Sequence, residues 1–218
     1  DGRWKIMPYG LDLSRIKKPE HKNLKTQLGI PARAKVITQI SDFYFEKNHD
    51  FMLRLFETEA QKNLSLVLVL SGQGPLKEKI EAQVIKMGLD ERVLFVDTKN
   101  FSDVEILSIT DLLVMPALHE MNVTPLIQAQ ILGVPALVSD VISRDVDLSS
   151  DFIHFLPLGE DLSLWMRALD NILKKKMPKT DKAYDAALES PYNIERNIET
   201  LKGLYQETLF KNYEKTNS

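Results

Sequence analysis

The chain has 218 residues with a net charge of -3, from 28 Lys and Arg against 31 Asp and Glu, and it contains no Cys. This balance provides no basic field for nucleic acid or anionic lipid, so no nucleic-acid partner is expected. The absence of Cys excludes a disulfide framework, a thiol nucleophile and a Cys-ligated metal site, and it fits a reducing compartment such as the cytoplasm.

Short apolar runs alternate with amphipathic segments through most of the chain. After a strand-like beginning at 4–7, the apolar runs predict strands at 35–40, 66–70, 92–96, 112–115, 135–138 and 153–156. The amphipathic segments predict helices at 50–61, 76–87, 102–109 and 124–132. Because the connections are short, the alternation predicts an α/β fold with a Rossmann-like parallel sheet and helices on both faces. Every apolar run is far shorter than the roughly 20 residues that cross a bilayer.

The sheet pattern stops after the sixth predicted strand. Two more helical segments follow, at 161–176 and from 191 or 193 to about 207. The lysine-rich stretch between them is typical of an exposed linker. We therefore expect a Rossmann-like domain over 1–176, followed by a linker and a C-terminal amphipathic helix over 177–218.

Two loops after predicted strands carry residues suited to ligand binding. Lys47 lies just before a helix, where an ammonium group and the free amides of the helix start can hold a phosphate. The alternative is a solvated lysine on a surface loop. After the next strand, Gly72 and Gly74 allow a close backbone approach to a ligand, although a plain tight turn explains the same residues.

The most informative stretch is the turn from Glu120 to Thr124, which follows a buried strand and leads into a helix. Open α/β sheets bind ligands at such strand-to-helix turns. The free N–H groups and the positive end of the helix dipole suit a diphosphate. An acidic side chain in the same turn is better suited to accept hydrogen bonds from hydroxyl groups. A site for an anion, beside a carboxylate that can accept hydrogen bonds from hydroxyl groups, predicts a nucleotide-sugar site.

Other chemistries lack the residues that they need. The four His residues are scattered without the spacing of zinc ligands, so neither a metal nor another cofactor is expected. A hydrolase of the G-x-S-x-G kind has no nucleophile elbow in this sequence. A flavodoxin-like regulatory module has little support, because Asp42 stands without an acidic phosphoacceptor cluster after the first strand.

Six blocks, in their order along the chain, resemble the group 1 glycosyltransferases. They are Tyr9-Gly10-Leu11-Asp12, Glu46-Lys47-Asn48-His49, Gly72-Gln73-Gly74-Pro75-Leu76, Asp111-Leu112-Leu113-Val114-Met115-Pro116, Glu120 to Gln128, and Gly133-Val134-Pro135. The resemblance covers about residues 5–160. Residues 138–147 and 154–156, with Trp165, look like the branch of the family that builds bacterial exopolysaccharides and capsules.

The resemblance implies a retaining hexosyltransferase of the two-domain GT-B fold, of which this chain is the C-terminal, donor-binding domain. Because the sequence lacks the N-terminal acceptor domain and does not begin with Met, we expect it to be part of a longer protein and inactive by itself. The implied partners are a UDP- or GDP-sugar donor, the N-terminal domain of the same protein and a membrane-linked glycan acceptor. The implied location is the cytoplasm, with peripheral attachment at the inner face of the membrane in the full-length protein.

The resemblance also implies roles for individual residues. Lys47 corresponds to the lysine that binds the donor diphosphate, and Glu120 to the glutamate that faces the donor sugar; both are candidate catalytic residues. Gln128 takes the place of the second glutamate of the E-x7-E motif, which binds the ribose hydroxyls. The remaining implied donor-binding residues are Asp42, Gly72, Met121, Asn122, Val123 and Thr124, the last three through the amides of the helix start.

Three of these residues depart from the family pattern. Asp42 replaces the arginine that partners the lysine, Met121 replaces a glycine, and Gln128 is a neutral acceptor. An anion close to a diphosphate costs on the order of a few kcal/mol, and a neutral acceptor forms a hydrogen bond roughly half as strong as a charged one. The alternative function is therefore a catalytically decayed glycosyltransferase-like subunit that acts through partner or glycan binding.

Overall fold

The computed structural model describes residues 7–16, 24–148, 152–159, 161–175 and 182–216, with side chains described as far as residue 208. Six strands lie in these residues: β1 (Lys35–Ile40), β2 (Leu66–Ser71), β3 (Val93–Val96), β4 (Leu112–Met115), β5 (Ala136–Ser139) and β6 (Ile153–Leu156). The α-helices of the same residues are α1 (Leu24–Gln27), α2 (His49–Lys62), α3 (Lys77–Lys86), α4 (Asp103–Ser108), α5 (Thr124–Ile131), α6 (Ser163–Lys174), α7 (Lys182–Glu189) and α8 (Ile194–Thr216).

The six strands form one parallel sheet in the order β3-β2-β1-β4-β5-β6. The predicted Rossmann-like sheet is therefore confirmed. Consecutive strands are added outward from β1 to one edge, and the chain then returns to place β4 on the other side of β1. In open α/β sheets the usual ligand position is a crevice at such a reversal, beyond the carboxyl ends of the strands. In this sheet that position lies between the loops that follow β1 and β4.

Alternate side chains of the strands face two apolar layers, so both faces of the sheet are covered. Ile37 and Leu68 pack with α2, α3 and the fully buried Trp165 of α6 on one face. Val36 and Val69 pack with α4 and α5 on the other. The near-continuous burial of β2 and β4 explains why their sequences are almost uninterrupted apolar runs, whereas β1 also buries the polar Thr38 and Gln39.

The C-terminal part of the chain packs on the sheet domain through small residues. Ala183 and Ala187 of α7 are fully buried, and Ala187 joins Leu13 and Ile16 in a small apolar cluster. Leu11 donates its N–H to the carbonyl of Tyr192 at 2.7 Å and accepts the N–H of Ile194 at 3.1 Å. The start of the described chain is thus tied to the start of α8.

Several boundaries differ from the sequence prediction. Helix α7 lies within the stretch assigned to a linker, and α8 continues to Thr216 rather than ending near residue 207. Helix α1, a single turn, was not predicted. The predicted strand at 4–7 lies outside the described residues except for Met7. Among the described residues, we find no helix that is long and apolar enough to span a membrane.

Candidate functional site

The sequence-predicted Lys47 and Glu120 meet between the loops that follow β1 and β4. Lys47 ends a 3-10 turn, Phe45–Lys47, in the loop after β1, and Glu120 lies in the loop after β4. Lys47 Nζ is 2.7 Å from Glu120 Oε1. The exposed fractions of the two side chains are 15% and 2%, so this ion pair is largely shielded from solvent.

The two loops are tied together by hydrogen bonds that place Lys47. Asn48 has left-handed backbone angles, φ 56 and ψ 46, and its side-chain Nδ2 donates to the carbonyl of Pro116 at 3.0 Å. The N–H of Leu118 donates to the carbonyl of Glu46 at 2.8 Å. Asn tolerates the left-handed conformation better than most residues, so a single asparagine both ends the 3-10 turn and connects the loops.

The turn before α5 is internally hydrogen-bonded. The N–H of Asn122 donates to Glu120 Oε1 at 2.9 Å, and the N–H of Thr124 donates to Asn122 Oδ1 at 3.2 Å. Within the described part of the chain, no hydrogen bond engages the N–H of Val123. Met121, which replaces the family glycine, is 79% exposed. Of the three amides assigned to an anion, two therefore already bind side-chain oxygens of the protein.

The need for glycine after β2 comes from the neighbouring loop. A Cβ on Gly72 would lie 2.1 Å from the carbonyl oxygen of Ser41, and one on Gly74 would lie 2.7 Å from that of Phe43. The N–H of Phe43 donates to the carbonyl of Gln73 at 2.7 Å. The glycines thus allow the loops after β1 and β2 to lie in direct contact, which is a structural reason for both glycines. A role of Gly72 in donor binding stays a prediction.

Asp42, in the place of the family arginine, is an exposed residue whose carboxylate accepts the N–H of Gln73 at 3.1 Å. The charge of Asp42 also acts on Asp103, at the start of α4. Burial raises the pKa of Asp103, and the charge of Asp42 raises it further. Nearby, Asp97 Oδ1 accepts the side-chain Nε2 of Gln73 at 3.0 Å. The edge of the crevice on the β2 side therefore carries negative charge where the family pattern has an arginine.

Gln128 lies one turn into α5, and its side-chain oxygen is buried without a hydrogen-bond partner among the described residues. An unpaired buried amide oxygen is uncommon, because leaving it unpaired costs about 1–3 kcal/mol. The predicted ribose acceptor thus has a free acceptor atom.

His49 begins α2 and is a core residue. It is 3% exposed and stacks on Phe43 with ring centroids 4.7 Å apart. Neither ring nitrogen has a hydrogen-bond partner among the described residues. Burial lowers the pKa of His49 to about 4; the charge of Asp50 acts against this shift and that of Lys47 adds to it. A neutral imidazole is therefore expected beside Lys47 at neutral pH.

Three residues that position the loops of the site were not predicted from the sequence. Gln39 Nε2 donates to the carbonyl of Lys47 at 2.8 Å, and Ser139 Oγ donates to the carbonyl of Ala117 at 2.6 Å. Asn48 is the third. Gln39 and Ser139 are buried polar residues within apolar strands, and that interruption of the apolar pattern is the signal that would have revealed them.

No group of three or more His, Asp or Glu side chains is arranged to hold a metal ion in the described ranges. That the chain requires no metal or other cofactor stays a prediction.

Comparisons with known proteins give one family. Residues 20–156 match the model of the glycosyl transferases group 1. EpsF of Bacillus subtilis, which is named as a glycosyltransferase, is 29% identical over 203 residues, or 92% of this chain and 52% of that protein. The UDP-Gal:alpha-D-GlcNAc-diphosphoundecaprenol alpha-1,3-galactosyltransferase of Escherichia coli is 25% identical over 207 residues, or 92% of this chain and 53% of that enzyme. The chain spans about half the length of these relatives.

Solved structures show the same fold. Sucrose-phosphate synthase from Thermosynechococcus elongatus superposes with a TM-score of 0.75 at 19% identity, covering 95% of this chain and 53% of that one. HepE of Anabaena, solved in complex with UDP and glucose, superposes with a TM-score of 0.69 at 16% identity, covering 91% of this chain and 56% of that one. The likeness again covers about half of each neighbour.

Proposed function

Because the chain belongs to the group 1 glycosyltransferases, we propose that it is the donor-binding domain of an enzyme that transfers a hexose, with retention of configuration, from a nucleotide-diphosphate sugar to a growing polysaccharide or other glycan. The observation that carries this proposal is the pairing of Lys47 with Glu120 at the reversal of strand order. In the full-length protein the acceptor would bind to a further domain, so we expect no transfer activity from these 218 residues alone.

The proposed chemistry is electrostatic stabilisation of the leaving diphosphate. Lys47 supplies an ammonium group in a shielded crevice, where a charge acts more strongly than in water. The N–H of Val123, at the start of α5, adds a donor on the same side. Glu120 would orient the sugar through its hydroxyls, and the free Oε1 of Gln128 would accept a ribose hydroxyl. In this assignment Gln128 retains the acceptor role without the negative charge.

The nucleotide and the acceptor are proposed from the relatives. The name of the Escherichia coli enzyme specifies UDP-galactose and a diphosphoundecaprenol-linked sugar, and HepE was solved with UDP and glucose. We therefore favour UDP over GDP as the nucleotide and a membrane-linked glycan of the exopolysaccharide or capsule type as the acceptor. A cytoplasmic protein at the inner face of the membrane would meet both substrates.

The comparisons do not favour the decayed, partner-binding subunit. The family model describes transferases, and the Escherichia coli relative is named for its transfer reaction. The exposed carboxylate of Asp42, in the place of the family arginine, is the feature that favours the alternative.

The test is titration calorimetry of the chain with UDP, GDP and UDP-hexoses. We expect micromolar to low-millimolar binding of one nucleotide, weakened roughly tenfold or more in Lys47→Ala, because a hydrogen bond to a charged group contributes about 1.5–3 kcal/mol. Lys86→Ala is the matched control, since it removes the same charge at the end of α3, away from the crevice.

A melting curve of each variant shows whether Lys47→Ala remains folded, because this change leaves the buried Glu120 without its cation. Absence of binding by every nucleotide at millimolar concentration in the folded wild-type chain would contradict the proposal and support the partner-binding subunit.

A further inference from the structure

Glu120 occupies the donors that an anionic ligand would need. Its Oε1 accepts the Lys47 ammonium at 2.7 Å and the Asn122 N–H at 2.9 Å. An ammonium group and a backbone N–H before a helix are the donors that bind a phosphate oxygen. Within the described residues, a carboxylate oxygen of the protein therefore stands where the proposed function requires an oxygen of the diphosphate.

The contact is built into the fold rather than made by a side chain that swings freely in solvent. The Glu120 side chain is 2% exposed. Gln39 holds the carbonyl of Lys47 at 2.8 Å, and Asn48 holds the loop that carries Glu120 through the carbonyl of Pro116 at 3.0 Å. The main chain of the two loops is thus held in place before any ligand binds, and an incoming anion meets a carboxylate of like charge.

We propose that Glu120 is an intramolecular competitor of the donor diphosphate, which must exchange places with its carboxylate at Lys47 and Asn122. This inference rests on the proposed function. Once released from Lys47, the carboxylate can accept hydrogen bonds from hydroxyl groups of the donor sugar. When a nucleotide sugar binds, these hydrogen bonds offset the lost contacts of Glu120 with Lys47 and Asn122. A nucleoside diphosphate lacks the sugar that carries these hydroxyl groups.

The exchange also affects the release of the nucleoside diphosphate after transfer. Once the sugar has left, the freed carboxylate loses its hydroxyl partners while Lys47 and the Asn122 N–H remain within its reach. Its return to these donors displaces the nucleoside diphosphate. The same residue then favours the sugar-bearing donor over the spent nucleotide, and it promotes product release.

The test is the affinity of the chain for UDP and GDP, measured by calorimetry in wild type and in Glu120→Gln. The amide is isosteric and can still accept the Asn122 N–H, but it lacks the competing charge. We expect the dissociation constant of the nucleotide that binds to fall roughly fivefold in Glu120→Gln. A residue that only supports the fold, or that only contacts the sugar, predicts an unchanged or weaker affinity for a nucleoside diphosphate.

Glu46→Gln is the matched control. It removes the same charge one residue before Lys47, and only the main-chain carbonyl of Glu46 takes part in the described contacts between the loops. Its affinity for the nucleotide should remain within twofold of wild type. An equal gain in both variants would overturn the exchange, because it would show a general effect of net charge.

Three further outcomes separate this inference from the proposed function. Wild type that binds a nucleotide, with no gain in Glu120→Gln, overturns the exchange and leaves the donor site intact. If neither wild type nor Glu120→Gln binds UDP or GDP, the donor site and the exchange both fall. If wild type binds a UDP-hexose but neither UDP nor GDP, while Glu120→Gln binds UDP or GDP, the exchange is supported in its strongest form.

A measurement on the unaltered chain guards against a misfolded variant. In a nuclear magnetic resonance titration with UDP, the side-chain carboxyl carbon of Glu120 and the N–H of Asn122 should shift together with the same midpoint, because both lose a partner in the exchange. Saturation with UDP that leaves both resonances unmoved would show that Glu120 stays on Lys47, and it would overturn the proposal.

Discussion

At the scale of single residues, the departure at Asp42 has a structural role and an electrostatic effect that can be separated. Its carboxylate accepts the N–H of Gln73 at 3.1 Å, and an Asn side chain can make the same hydrogen bond through Oδ1. Asp42→Asn therefore keeps the loop contact and removes the charge. We expect tighter binding of the nucleotide by roughly threefold to tenfold, since one charge a few ångströms away is worth about 1 kcal/mol in a water-like medium. Calorimetry measures this change.

The same variant should lower the pKa of Asp103, because the charge of Asp42 is one of the two causes that raise it. A nuclear magnetic resonance titration of the Asp103 carboxyl checks this direction. Asp90→Asn is the control, since Asp90 is exposed and lies before the amino end of β3, whereas Asp42 follows the carboxyl end of β1. An affinity that is equal in Asp42→Asn, Asp90→Asn and wild type would show that Asp42 lies too far from the ligand to oppose it.

At the scale of elements, a buried histidine at the start of α2 makes the stability of the fold depend on pH. The pKa of His49 is lowered to about 4 by burial, against roughly 6.5 in the unfolded chain. Between these values the unfolded state binds more protons, so this residue's contribution to stability is complete above pH 6.5. It is lost as the pH falls through 4. The difference between these two pKa values corresponds to on the order of 3 kcal/mol.

We expect His49→Leu to flatten this part of the pH profile, because it removes the proton-binding group and keeps an apolar side chain of similar size against Phe43. Urea unfolding between pH 4 and pH 7.5 gives the difference between the two proteins. His119→Gln, a change at an exposed loop residue, should retain the wild-type profile. If the free energy of unfolding depended on pH in the same way in wild type and in His49→Leu, then His49 would not be the source of this pH dependence.

At the scale of the whole molecule, α7 joins the two ends of the described chain to the sheet domain. Ala187 is fully buried and packs with Leu13 and Ile16, so Ala187→Asp would place an unpaired charge in that cluster. We expect a loss of roughly 2–4 kcal/mol, confined to this attachment. Hydrogen exchange should become faster in residues 182–216 and 7–16, while nucleotide affinity is unchanged. Leu188→Asp is the control, because the next side chain of the same helix is 38% exposed.

A fall in nucleotide affinity in Ala187→Asp would show that α7 supports the crevice as well as the ends of the chain. An equal increase of hydrogen exchange in Ala187→Asp and Leu188→Asp would show that the helix is held by something other than its buried alanines.

The amino-acid sequence by itself determined the strands, the order in which they alternate with helices and the residue types of the site. Strands β1, β4 and β6 have the bounds that the sequence pattern predicts. Of these, the central strand β4 is an unbroken apolar run, because both of its faces are covered. Helix α5 ends just before Gly133, whose φ of 71 is a conformation that glycine adopts readily. Helix α7 was missed, because a buried face made of two alanines leaves no wide apolar stripe.

Only the tertiary structure decided what the site residues do to one another. Lys47 and Glu120 are 73 residues apart in the chain, and their contact depends on β4 lying beside β1, which no local pattern specifies. The same holds for Asp42 on Gln73 and for Gly72 against Ser41. Local periodicity reports which residues are buried. Strand order brings two loops to one crevice, and there the lysine and the glutamate assigned to one ligand bind each other.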